Sequence, residues 1–177
     1  MSFSGVSVEL FQRTRLVLVG AVWSRYCPRV PIPQLNEQGL LPAGLHDCTF
    51  EEIRNRFATF QGSDRRHQLF AKLEIFFSDA KAAKFIKAVI VDGSFVTGAP
   101  QPNDIDLIAV VASSHDFSDE LSPAAYNVIS KQRVRRRFGY DLLVAREGSV
   151  EFEDWTEFFQ QVRLAPNERK GILRVRL

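Results

Sequence analysis

Apolar and polar positions divide the chain, from Leu40 onward, into short alternating elements. Leu40 to Asp47 carries a Pro-Ala-Gly turn, and Thr49 with Glu52 three residues on forms a capping box that predicts a short helix through about Phe57. A turn at Gln61-Gly62 leads to Ser63 as an N-cap, and Leu69, Phe70, Leu73, Phe76 and Phe77 then recur at helical spacing. Lys84 to Val91 is rich in Ile, Val and Phe and predicts a buried strand that stops at Asp92-Gly93-Ser94. Past a loop with Gly98, Pro100 and Pro102, Asp104 to Val111 predicts a second strand. Ser122-Pro123 opens a helix expected to run to about Arg136, Gly139 ends it, and Tyr140 to Ala145 predicts a third strand. Glu151 to Val162 reads as a last helix with Trp155, Phe158, Phe159 and Val162 on one side. In Gly171 to Leu177, apolar residues alternate with Arg174 and Arg176, as in a half-exposed strand. Three or four strands with helices beside them predict an α/β (α+β) sheet covered mainly on one face.

The first thirty residues read differently. Arg13 and Arg15 precede the mostly apolar run Leu16 to Trp23, which faintly resembles a secretory leader. The run is short, and Arg25, Tyr26 and Cys27 follow where small residues should mark cleavage, so secretion is disfavoured. Residues 1–32 are expected to be an extension, either poorly ordered or upstream sequence wrongly joined to the gene. Pro28, Pro31 and Pro33 mark a linker into a domain spanning 33–177.

Composition narrows the classes. Of 177 residues, 45% are hydrophobic and 25% charged, which excludes disorder along the whole chain. The net charge of +2 is too small for a dedicated nucleic-acid coat. No apolar run is long enough to span a bilayer. Cys27 and Cys48 are too few for a disulfide framework or a zinc site, and read as free thiols in a reducing cytoplasm. The fifteen phenylalanines read as core.

The chemistry sits between the strands. Asp104 and Asp106, two apart on a strand, send both carboxylates to one face, where they repel unless a cation sits between them. Carboxylate oxygens of this kind suit Mg²⁺. Gly93 permits close backbone approach and Ser94 offers a hydroxyl and an amide to phosphate oxygens. A third carboxylate, Asp141, interrupts the apolar strand beginning at Tyr140 and needs a reason to be there, which a neighbouring metal would supply.

Gly93-Ser94, nine residues, then Asp104-Ile105-Asp106-Leu107 resembles the signature of the polymerase-β-like nucleotidyltransferases, including the minimal ones. The stretches DGSFVTGAPQPNDID (92–106) and LLPAGLHDCTFEEIRNRF (40–57) look like a small uncharacterised bacterial group of that superfamily, and the resemblance covers roughly Pro33 to the C-terminus. It implies a mixed sheet with helices mainly on one face. It further implies that Asp104, Asp106 and Asp141 hold two Mg²⁺ ions about 3.5–4 Å apart. Gly93 and Ser94 would hold the β- and γ-phosphates of a triphosphate such as ATP. Asp141 would help deprotonate an acceptor hydroxyl, on a protein or an RNA, as it attacks the α-phosphate and pyrophosphate leaves. In related minimal enzymes the partner is often a toxin or antitoxin protein. The family's usual loop cation is missing from Phe95-Val96-Thr97-Gly98-Ala99; Lys170, or an arginine of the 131–137 run, is the candidate substitute.

Other readings stand beside this one. The missing cation motivates a catalytically inactive nucleotidyltransferase fold serving as a nucleotide-binding or regulatory module. A third reading is an RNA-binding domain using Lys131, Arg133, Arg135, Arg136 and Arg137, although a solvated helix face is slightly preferred for that run. Asp92 reads as loop support and not as a ligand. His46, His67 and His115 show no metal-ligand spacing and read as surface or capping residues.

Overall fold

The computed structural model describes residues 31–59, 64–118, 120–163 and 165–177. The expectations for Met1 to Val30, for Cys27, and for the Gln61-Gly62 turn and Ser63 cap lie outside the described residues. Among the described residues no helix is long and apolar enough to cross a membrane.

Strand β1 (Gly44–Asp47) leads into helix α1 (Phe50–Ile53), which widens into a looser helical turn over Arg54–Ala58. The Thr49–Glu52 capping box is formed as expected: the Thr49 hydroxyl accepts from the Glu52 amide at 3.0 Å and the Glu52 carboxylate accepts from the Thr49 amide at 2.6 Å. Helix α2 (Asp64–Ala82) follows, then β2 (Ile86–Asp92), a single tight turn at Ser94–Val96, and β3 (Asp106–Val111). Helices α3 (Pro123–Ile129) and α4 (Lys131–Phe138) precede β4 (Asp141–Arg146). Helix α5 (Val150–Phe159), a hairpin of β5 (Gln161–Val162) and β6 (Ala165–Arg169), and β7 (Gly171–Arg176) complete the order.

The main sheet runs β1-β7-β2-β3-β4. Its two outer pairs, β1 with β7 and β3 with β4, are parallel; the two inner pairs are antiparallel. The expected α+β class with a mixed sheet is therefore found. Alternation along the strands sorts the side chains into two layers. Val89, Val91, Leu107, Ala109, Leu173 and Val175 face the large core built with α1 to α4, where Phe57, Phe70, Phe76, Phe77, Phe95 and Phe138 lie. Ala88, Ile90, Ile108, Val110, Ala145 and Ile172 face a smaller cluster closed by Phe159 of α5, with Leu143, Phe152 and Trp155 at its edge. The lighter cover on this second face leaves room for a site.

Several boundaries differ from expectation. The helix expected from Pro123 to Arg136 is two helices, because Ser130 takes extended dihedrals (φ −78°, ψ 108°). Gly139, left-handed at φ 81°, stops α4 as its position implied. The last helix ends at Phe159, and Gln161 and Val162 belong to the hairpin. Gly44–Asp47, read as following a turn, pairs with β7 as a strand. The β7 strand is internal to the sheet, and Arg174 survives there because Asp47 holds its guanidinium at 2.6 and 2.7 Å. His115 is half-buried: it stacks on Phe85 at 4.5 Å between ring centroids and meets Phe117 edge-on at 4.9 Å.

Candidate functional site

The site forms where β2, β3 and β4 end together. Antiparallel pairing sets Asp92 opposite Asp106, and parallel pairing sets Asp106 opposite Asp141. Cross-strand partners share a face. The period of two places these three carboxylates on the α5 side, in line with Ile90, Ile108 and Leu143. Asp141 is therefore on the same side of the sheet as Asp106.

Asp104 is not on the strand. It lies in the preceding loop, and its Oδ1 accepts from the Ser94 amide at 2.9 Å and from the Ser94 hydroxyl. The Ser94 Oγ in turn accepts from the amides of Asn103 at 2.8 Å and Asp104 at 3.2 Å. Through these bonds Ser94 knits the two loops together. Gly93 makes that closure possible. Its φ is 91°, and a Cβ there would stand 2.9 Å from the Asp104 carbonyl oxygen and 3.1 Å from the Asp106 amide. The loop after it is pinned from behind by the buried Arg66. This guanidinium donates to the carbonyls of Phe57 at 3.1 Å, Phe95 at 2.8 Å, Thr97 at 2.8 Å and Ala99 at 2.6 Å.

Charge along the row is uneven. Burial pushes the Asp106 carboxyl up to about 6; Asp104 and Asp141 add to the rise, while Lys170 and Arg163 oppose it. Among the described residues nothing donates a hydrogen bond to that carboxylate. Asp92 is buried and also pushed up to about 6, by desolvation first, although Lys170 Nζ sits 2.7 Å from each of its oxygens. Asp141 is two-thirds exposed and pairs with Arg135 at 3.0 Å.

Together these groups line a cleft of about 1140 Å³, walled also by Lys131, Arg163, Phe158 and Leu143. Lys131 and Arg135 are exposed, as a solvated basic run should be, and both also line the rim of this cleft. With Arg163 and Lys170 they surround the carboxylates with positive charge. Neither Arg163 nor the Asp92–Lys170 pair was singled out as site chemistry from sequence, because Lys170 lies 78 positions from its partner. A second hollow of about 580 Å³ lies at α1, α2 and β7; its Glu74 and Asp47 are already held by Arg54 and Arg174.

The donor set suits a hard divalent cation, since a half-buried carboxylate without a donor, flanked by like charges, is relieved by a metal. Among the described residues no three His, Cys, Asp or Glu side chains stand gathered as a metal cage. Asp104 is turned onto Ser94, and Asp141 onto Arg135.

A family model covers residues 33–176, and the chain belongs to that family, described as a family of unknown function, DUF6932. No curated protein and no solved structure matches the chain.

Proposed function

We propose that this family member is a metal-dependent nucleotidyltransferase that moves a nucleoside monophosphate from a triphosphate onto a protein or RNA hydroxyl. The observation that carries the reading is the half-buried Asp106 carboxylate, without a hydrogen-bond donor among the described residues, set in register between Asp92 and Asp141 in a cleft that cations also line. The Gly93-Ser94 and Asp104-Ile105-Asp106 resemblance supports it. A carboxylate kept away from its usual affinity for protons, inside a cleft, is a mark of working sites.

Asp104, Asp106 and Asp141 would hold two Mg²⁺ ions. When bound, such ions neutralise phosphate charge and lower the pKa of an attacking hydroxyl. The chain's own part is positional. Arg66 fixes the loop that follows Gly93-Ser94, and the Ser94 hydroxyl holds Asp104 in the cleft lining. Lys131, Arg135, Arg163 and Lys170 replace the missing loop cation and orient the phosphates. Asp141, two-thirds exposed, would accept the acceptor's proton. We take the acceptor to be a separate macromolecule, with a toxin or antitoxin protein as the partner class that the resemblance implies. We place the reaction in the cytoplasm, where triphosphates are supplied and Cys48 stays reduced.

A second reading is an inactive nucleotide-binding or regulatory module. It is favoured by the engagement of Asp104 Oδ1 with the Ser94 amide and hydroxyl, which turns that oxygen to the loop and not to a ligand.

The test is incubation with each α-labelled triphosphate, Mg²⁺ and a cell lysate as acceptor source. Transfer of label that disappears in Asp104→Asn and Asp106→Asn is the expected result. Triphosphate binding without transfer establishes the module, and the absence of metal-dependent triphosphate binding by folded protein removes both.

A further inference from the structure

We infer that Phe158 is the shelf on which the base of the triphosphate lies, and that the base is a purine. This rests on the triphosphate reading of the same cleft. Helix α5 buries Phe159 and half-buries Phe152 and Trp155, as a helix covering a sheet should. Phe158 breaks that rule. It is 58% exposed, yet it lines the cleft on the carboxylate side of the sheet. The ring meets Trp155 edge-on at 6.4 Å and Phe159, tilted, at 6.1 Å. Leu143, Val162 and Pro166 continue the apolar wall beside it.

The cleft therefore has two chemistries within one volume. Carboxylates and the four cations suit a metal-bound phosphate chain, and a flat carbon surface suits an uncharged aromatic ring. A nucleotide carries both parts joined by a sugar. The volume of about 1140 Å³ is more than a phosphate chain alone requires. An apolar shelf recognises a base by the area it covers, and each base offers a π-face, so stacking ranks purines above pyrimidines while separating adenine from guanine poorly.

Calorimetry on the full chain with Mg²⁺ and ATP, GTP, UTP or inorganic tripolyphosphate tests this. ATP and GTP are expected to bind about tenfold more tightly than tripolyphosphate, with UTP between them. Phe158→Ala should bring ATP down to the tripolyphosphate level, and Phe158→Trp should restore the difference. Tripolyphosphate binding by the Phe158→Ala protein shows that its fold is intact. Equal affinity of the unaltered protein for ATP and tripolyphosphate overturns the shelf and leaves the phosphate site standing. So does an equal loss for both ligands in Phe158→Ala. Failure of every one of these anions to bind folded protein removes the triphosphate reading itself, a separate result.

Discussion

Lys170 holds Asp92 through both carboxylate oxygens, each 2.7 Å from Nζ, in the lining of the cleft. The pair joins the start of β7 to the end of β2, so the carboxylate row is braced by the strand beside it. Burial outweighs this ion pair, since the Asp92 carboxyl stays raised to about 6.

Removing the ammonium leaves that carboxylate buried without its partner. Lys170→Met is expected to cost about 2–4 kcal/mol at pH 8. The Asp92 pKa is already above its unfolded value and rises further without Lys170. A carboxyl raised in this way adds stability fully only below its unfolded pKa, and that stability is lost as pH rises through the folded value. The loss in Lys170→Met should therefore be small at pH 5 and full at pH 8. Urea unfolding at the two pH values measures it, and equal losses would contradict the argument.

Arg66 supplies a second test, because one guanidinium ties three carbonyls of the loop behind the site to that of Phe57 in the helical turn before α2. Lysine presents a point charge and cannot reproduce that planar fork. Arg66→Lys and Arg66→Met should both destabilise the protein, the latter by about 3 kcal/mol or more, since buried acceptors lose their donor. Amide hydrogen exchange at residues 95–99 should accelerate in Arg66→Lys even where the protein remains folded. Unchanged exchange would show that the loop stands without this contact.

Which parts of this were readable in the sequence follows from distance along the chain. The Thr49 capping box and the Gly139 stop are local, and both formed where their spacing placed them. The face shared by Asp106 and Asp141 needed only two strand patterns and a parallel pairing. Arg66 was hidden, because a cation on a helix reads as solvated unless its carbonyl partners, nine to 33 residues away, are known to converge on it. The Ser130 break was hidden as well, since serine is tolerated in a helix and only packing decides. Asp104 misled for a similar reason: its spacing from Asp106 suits a strand, but Ser94 offers a nearer partner.

The Asp106 carboxyl, raised to about 6, opposes folding above that pH. Between about pH 4 and 6 the folded state holds the proton more tightly than the unfolded chain, so stability falls as pH rises through that window. Asp106→Asn should flatten this slope. It should also stabilise the protein at pH 8 by about 1–2 kcal/mol, a figure reduced for the solvent that reaches the group. Thermal unfolding with and without Mg²⁺ adds a second readout: the cation should raise the Tm of the unaltered protein and leave that of Asp106→Asn unmoved. A destabilised Asp106→Asn would mean that the carboxylate serves the fold and not a ligand.

Arg135 separates a structural cation from a working one. Its contact with Asp141, at 3.0 Å, joins side chains that are 74% and 66% exposed, and water screens such a pair. Arg135→Ala should thus change stability by less than about 1 kcal/mol. The same guanidinium lines the cleft and can pass from the Asp141 carboxylate to a phosphate, where it makes a stronger, two-pronged contact. Affinity for Mg²⁺-ATP should then fall about tenfold in Arg135→Ala, and raising the salt should narrow the gap between the two proteins. Tighter binding in Arg135→Ala would reverse the assignment. Arg135 would then act as a competitor that occupies Asp141, and the phosphates would depend on Lys131, Arg163 and Lys170 instead.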